Sequence, residues 1–178
     1  MKSNYLYNPF IKIAGFKSLI LGLIGFVIVT YLAFKTGTHF NGLLNIDFAR
    51  DSAYHVFLTE NLLNWICISF FMYISGLIFS QSKIRIVDVL GTTLLSRIPL
   101  IIAPAIRTIP IFQSFMFQSW QMYFIISFYM ISLAWTIVLL FNAFKISCNL
   151  KNEKLIILFI ICILLSDICT KLIIKLII

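Results

Sequence analysis

Long apolar runs separated by short polar segments organise this chain. Four of the runs are unambiguous, at about residues 18–34, 61–80, 120–141 and 155–175. A helix rises about 1.5 Å per residue, so runs of this length match the roughly 30 Å hydrocarbon core of a bilayer. The pattern therefore predicts four transmembrane helices, with no alternation of the kind that half-buried strands show.

The stretch between residues 81 and 121 is less regular, because it holds three of the four prolines and several charges. Residues 94–112 are long enough to cross the bilayer as a kinked helix, and residues 84–95 have the pattern of an amphipathic helix at the interface. The alternative is a re-entrant hairpin that turns at Pro104. We expect the crossing helix, which gives five spans.

The segment before residue 18 is polar, aromatic and basic. Asn8 and Pro9 are residues typical of a helix start, and the helix is expected to lie along the membrane interface. Taken together, the pattern predicts a single all-α domain, a polytopic membrane helical bundle of five transmembrane helices with an interfacial N-terminal segment.

Composition agrees with this class, since 61% of the residues are hydrophobic and only 11% are charged. Soluble domains are roughly half apolar and about a quarter charged. A net charge of +8 is typical of proteins that bind nucleic acid, but here the basic residues are scattered singly between apolar runs and form no basic patch. We therefore expect the lipid bilayer and other membrane proteins or self as partners, and no nucleic acid.

The distribution of Lys and Arg predicts the orientation. With five spans, nine of the 14 basic residues fall on the side of the N-terminus, which favours a cytoplasmic N-terminus in a bacterial cytoplasmic membrane. A four-span arrangement gives the same division. The short basic loop at 145–154 favours five spans, because it would otherwise lie outside. The five basic residues on the far side are Lys35, Arg50, Arg107, Lys171 and Lys175.

Small residues recur along the first span. Gly15, Ser18, Gly22 and Gly25 follow one another at intervals of three, four and three, which places them on one stripe of a helix. Such a stripe allows a neighbouring backbone to approach closely. We predict a helix-packing face, used either within the chain or against another membrane protein.

The longest polar segment connects the first two spans. Asp47, Asp51 and His55 are spaced four apart, so on a helix they would share a face that could hold a metal, with His39 and Glu60 joining from the ends. No recognised metal motif is present. The alternative is that Asp47 caps a helix and the other residues form a solvated face, and we therefore expect no metal or cofactor.

Two charges lie at matching depths in the predicted spans. Asp167 is twelve residues into the last run, about 18 Å along it, and Arg107 lies about 20 Å along the third. A charge within the bilayer is expected to have a partner. The sequence thus predicts an intramembrane ion pair, either Arg107 with Asp167 or Asp167 with Lys171 one turn away.

The opening YNPFIKIAGFKS, the five predicted spans and the passage IRIVDVLGTTLLSRIPLIIAP resemble bacterial members of the Ypt-interacting-protein (YIP) family. Eukaryotic members of that family act in Golgi trafficking with Rab-type GTPases. The resemblance implies a five-span membrane protein without catalytic residues.

Two functions are compatible with these features. The first is a non-enzymatic membrane scaffold or adaptor of the YIP type, and the second is a small transporter or permease subunit that uses the proline-broken third helix and Asp167. An enzyme is not expected, because the sequence has no HExxH, GxSxG or P-loop motif and no pair of carboxylates within the spans.

Overall fold

A computed structural model describes residues 8–49, 52–112, 119–150 and 152–177. Five of its helical segments are long and apolar enough to cross a membrane, which confirms the predicted all-α membrane bundle. In chain order the elements are α1 (Phe16–Thr36), β1 (Thr38–His39), β2 (Asp47–Phe48), α2 (Tyr54–Phe79), α3 (Ile86–Ser96), α4 (Ile102–Ile106), α5 (Ser119–Ser147) and α6 (Asn152–Ile177).

The third candidate span differs from the sequence-based prediction. It runs from Ile86 to Ile106, through α3, a 3-10 turn and α4, and so starts earlier than residue 94 and ends before residue 112. The sequence indicates an interfacial helix at residues 84–95 because Arg85, Asp88 and Gly91 interrupt the apolar pattern. In the structure the two charged residues lie at the start of α3, with Arg85 at its N-cap and Asp88 in its first turn. The hydroxyl groups further along donate to carbonyls one turn back in the same helix, so these polar residues can be buried. The donors are Thr92, Thr93 and Ser96.

The small-residue stripe packs α1 against α3 within the chain. A Cβ added at Gly22 would lie 2.9 Å from the backbone nitrogen of Leu95, and one added at Gly25 would lie 2.6 Å from Cγ1 of Ile98. Ser18 is fully buried on the same stripe. The two helices run in the same direction, because successive stripe residues meet successive positions of the third span. The stripe is therefore used inside the bundle.

The other helices complete the bundle around an apolar core. Helices α2 and α6 are antiparallel, with Ser75 Oγ lying 3.1 Å from Cys162 Sγ.

At the N-terminal side, a 3-10 turn at Pro9–Ile11 replaces the predicted interfacial helix, and Asn8 makes no side-chain capping bond to it. Phe10 is buried in a cluster with residues of α5, so this turn is anchored to the bundle.

Candidate functional site

One end of the bundle, where α1 ends and α2 begins, is closed by an ordered segment that we call the cap, residues 37–49. The cap contains the short antiparallel pair β1–β2. It begins at Gly37, whose φ of 61° is the left-handed conformation that ends α1 at little cost in glycine. Phe40 extends from the cap into the core between α1, α2 and the third span. The cap therefore acts as a plug for this end of the bundle.

Two polar residues of α2 hold the cap at Phe40. Glu60 is only 2% exposed, and its Oε2 accepts a hydrogen bond of 3.0 Å from the backbone nitrogen of Phe40. Asn64 Nδ2 donates to the Phe40 carbonyl at 2.7 Å. The backbone N–H and C=O of the buried Phe40 are thereby both hydrogen-bonded to side chains. Phe40 lies outside β1 and β2, so no neighbouring strand supplies these partners.

Arg107 holds the start of the cap. Its Nη1 donates to the carbonyl of Gly37 at 3.3 Å, and its guanidinium lies 4.4 Å from the ring centroid of Phe48 in β2. Such a stacked arginine is stabilised by a cation–π contact. Burial lowers the pKa of Arg107 to about 10, so the side chain remains charged at neutral pH.

Asp167 holds the middle of the cap from α6. Its Oδ1 accepts a hydrogen bond of 3.2 Å from the backbone nitrogen of Leu44, and its Oδ2 lies 2.7 Å from Nζ of Lys171. Within the described residues Asp167 pairs with Lys171 and not with Arg107. The predicted Arg107–Asp167 pair does not form, because each of the two charged groups binds a different part of the cap backbone.

His39 is buried beside the same glutamate. Its Nδ1–H donates to Oε1 of Glu60 at 2.8 Å, and its ring lies 4.2 Å from that of Phe57. The other ring nitrogen, Nε2, is buried without a hydrogen-bond partner in the part of the chain that the structure describes. The sequence pattern predicts His39 and Glu60 only as additions to a metal site at Asp47, Asp51 and His55.

The metal-site hypothesis does not fit the geometry. Asp47 lies in β2, where its carboxylate accepts from Asn41, while His55 is exposed in the first turn of α2. They are therefore not on one helical face, and Asp47 does not cap α2. Asp51 lies outside the described residues. Across the described ranges, no group of three His, Cys, Asp or Glu residues could hold a metal ion.

A cavity of about 570 Å³ lies under the outer edge of the cap. This volume is within the range of small-molecule sites. The cap and α2 form one wall and α6 forms the other. The polar lining residues include His39 and Glu60 on the first wall and Lys171 and Lys175 on the second, with Val56 and Ile174 supplying apolar surface.

Arg97 is a functional candidate that the sequence pattern does not distinguish from the other basic residues. The predicted topology places Arg97 among the basic residues on the amino-terminal side, but it lies inside the third candidate span and is only 7% exposed. The signal that could have identified it is the position of Arg97 two residues before Pro99, in an apolar stretch.

Comparison of the chain with protein-family models, with curated proteins and with solved structures returned no match. The geometry of the cap and its cavity therefore carries the functional argument.

Proposed function

We propose that the protein is a non-enzymatic integral membrane adaptor of the YIP type, whose working surface is the cavity under the cap. The cavity binds an amphiphile with an acidic headgroup. The observation that carries this proposal is the cavity itself, about 570 Å³ in volume, with two lysines on one wall.

Charge distribution within the cavity supports an acidic ligand. On the cap and α2 wall the carboxylates are already engaged, since Glu60 accepts from His39 and Phe40, and Asp47 accepts from Asn41. On the α6 wall, Lys171 is paired with Asp167. Within the described residues Lys175 makes no hydrogen bond or ion pair, and it is the group available to an acidic headgroup.

The position of the cavity supports an amphiphile. Both lysines lie in the last turns of α6, where a transmembrane helix leaves the hydrocarbon and basic residues meet lipid headgroups. On the outer surface of the same turns, Leu172 and Leu176 are exposed. An acyl chain could lie along this apolar surface while its headgroup enters the cavity.

The basic residues also support an orientation. Apart from Arg97, the described Lys and Arg residues divide six to four between the amino-terminal end and the cap end of the bundle. The positive-inside rule then favours a cytoplasmic N-terminus in a bacterial inner membrane, with the cap on the outer side. A compartment-reporting fusion after Ile178 tests this, and a cytoplasmic C-terminus would contradict it.

The ligand proposal is tested by native mass spectrometry of the purified protein with phosphatidylglycerol, phosphatidylcholine or glycerol phosphate. We expect binding of phosphatidylglycerol over phosphatidylcholine. The double variant Lys171→Gln/Lys175→Gln should weaken that binding by about thirtyfold, because each juxtamembrane lysine contributes about 1 kcal/mol toward an anionic lipid. Equal affinity for free glycerol phosphate would identify the headgroup alone as the ligand.

The matched control is Lys17→Gln/Lys154→Gln, which removes two exposed lysines from the opposite end of the bundle. It should leave phosphatidylglycerol binding unchanged. If both double variants lose binding equally, the lipid is attracted by general surface charge and the cavity is not its site.

A second candidate function is a small transporter. The observation that favours it is the third span, which is broken after α3 and carries the buried Arg97 at the break. Discontinuous helices of this kind surround substrates in transporters. Flux of small anions into proteoliposomes, lost in Arg97→Gln, would support this function, and the absence of any flux would remove it.

A further inference from the structure

Arg97 lies near the middle of the bundle along the membrane normal. It follows Ile86 by eleven residues in a 21-residue candidate span, about 17 Å from its start. Its neighbour Ile98 packs on Gly25, which is itself near the middle of α1. Two independent helices therefore place the guanidinium close to the bilayer midplane.

The contacts of Arg97 leave most of its donors unused. Among the described residues its hydrogen bonding consists of one long contact, from Nη1 to the Asn61 carbonyl at 3.4 Å. A guanidinium has five N–H donors and stays protonated in proteins. None of the described carboxylates forms an ion pair with it. This contrasts with Asp167, which has a lysine partner one turn away.

A charge at the midplane needs a counter-charge or polar ligands to be stable there. The carbonyl end of α3 supplies part of this, because Arg97 is the C-cap residue and the end of a helix dipole is partly negative. A dipole end offers only a fractional charge. A bound anion would supply the full negative charge that the end of the helix lacks.

A small cavity lies beside the arginine. It has a volume of about 10 Å³, and its lining includes Arg97, Asn61, Gly25, Val29 and Leu94. A space of this size is at the lower limit for one water molecule, so an ion bound there has to be monatomic or of similar size.

We propose that this cavity is a binding site for a small inorganic anion, chloride or one of similar size, with the Arg97 guanidinium as its ligand. The anion neutralises the arginine and fills the space between α1, α2 and the third span. The site is separate from the cavity under the cap, so it can fail without affecting the proposed function, and the reverse also holds.

Thermal unfolding of the purified protein tests this proposal directly. The protein is prepared in sodium gluconate and titrated with sodium chloride or bromide at constant ionic strength. We expect a saturable rise in Tm of about 5 °C once the halide is well above its dissociation constant. Crystals soaked in bromide should show an anomalous peak within hydrogen-bond distance of the Arg97 guanidinium.

Three variants sharpen the result. Arg97→Gln should lose the halide-dependent rise in Tm. Arg107→Gln, which removes a second buried arginine that binds the cap, should keep it. Val29→Asp places a carboxylate at the same cavity and should remove halide dependence even though Arg97 is intact.

The Val29→Asp variant keeps the proposal testable if Arg97→Gln does not fold. Wild-type protein with no saturable halide effect and no bromide peak would overturn the proposal and leave a single water in the cavity. A halide effect that persists unchanged in both Arg97→Gln and Val29→Asp would overturn it as well.

Discussion

The α1–α3 interface and the attachment of the cap show two different ways of holding this bundle together. At the first, Gly22 and Gly25 let α1 approach the third span so closely that an added Cβ would meet a backbone nitrogen or a core side chain. At the second, Glu60, Arg107 and Asp167 each reach a backbone group of the cap. The first contact is apolar and close, and the second is polar and spread over three segments.

The difference follows from what each contact has to provide: close packing between two helices in lipid, and hydrogen-bonding partners for the backbone of the cap. Between two helices in lipid there is little hydrophobic driving force, so close van der Waals packing of small residues must supply the stabilisation. The cap has no complete hydrogen-bonded ladder of its own, and its peptide groups would be costly to bury unpaired. Charged side chains from the helices solve this problem because they are strong hydrogen-bonding partners.

The largest effect is expected when the close packing is removed. Gly22→Leu would force a branched side chain against the backbone nitrogen of Leu95, which cannot move without shifting α3. Overpacking of this kind costs about 3 kcal/mol or more. Thermal unfolding of the purified variant measures it, and we expect a large drop in Tm or failure to fold.

The control for this variant is Ile24→Phe, which adds volume at an exposed, lipid-facing position of the same helix. It should leave Tm nearly unchanged. A Gly22→Leu protein as stable as this control would show that α1 and the third span do not pack through the stripe.

The two regions also differ in how far the sequence predicts them. The stripe depends on intervals along one helix, so Gly15, Ser18, Gly22 and Gly25 could be assigned to a packing face before the partner was known. The cap depends on contacts between residues far apart in sequence, such as Leu44 with Asp167. No periodicity encodes those contacts, because backbone groups of a loop carry no residue-specific signal.

The same limit explains the predictions that differed from the structure. Counting residues along each span places Arg107 and Asp167 at the same end of the bundle, where the structure has them. Their opposite charges suggest that they bind each other, but each binds the backbone of the cap instead. The sequence places the third span too late because Arg85 and Asp88 indicate an interfacial helix. In the structure they lie only at the start of α3, and the hydroxyl residues further along donate to carbonyls of the same helix. In both cases the backbone was the partner that the sequence pattern left out.

A moderate effect is expected when one polar attachment of the cap is altered. Glu60→Gln keeps the shape of the side chain, but its amide has only one acceptor oxygen for the two donors, His39 Nδ1–H and the Phe40 amide. One buried donor is left unsatisfied, at a cost of about 2 kcal/mol. We expect a lower Tm than wild type, but a smaller drop than for Gly22→Leu.

Glu153→Gln is the matched control, because Glu153 is an exposed glutamate in the first turn of α6. It should change Tm by much less than Glu60→Gln. If the two substitutions have equal effects, the buried carboxylate does not hold the cap, and the comparison between polar and apolar attachment loses its support.

The smallest effect is expected at Asp167, because its attachment to the cap is partly exposed to water. Asp167→Ala removes the acceptor of the Leu44 amide, so hydrogen exchange at that amide should accelerate by about tenfold. Exchange at the Phe40 amide should stay slow, because Glu60 still accepts from it.

Lys171→Ala separates the two roles of the aspartate, since it breaks the ion pair and leaves the acceptor in place. Exposed ion pairs contribute little, so this variant should leave Leu44 protected. Equal acceleration in both variants would mean that the lysine holds the carboxylate in position, and that the polar attachment at this point works only as a pair.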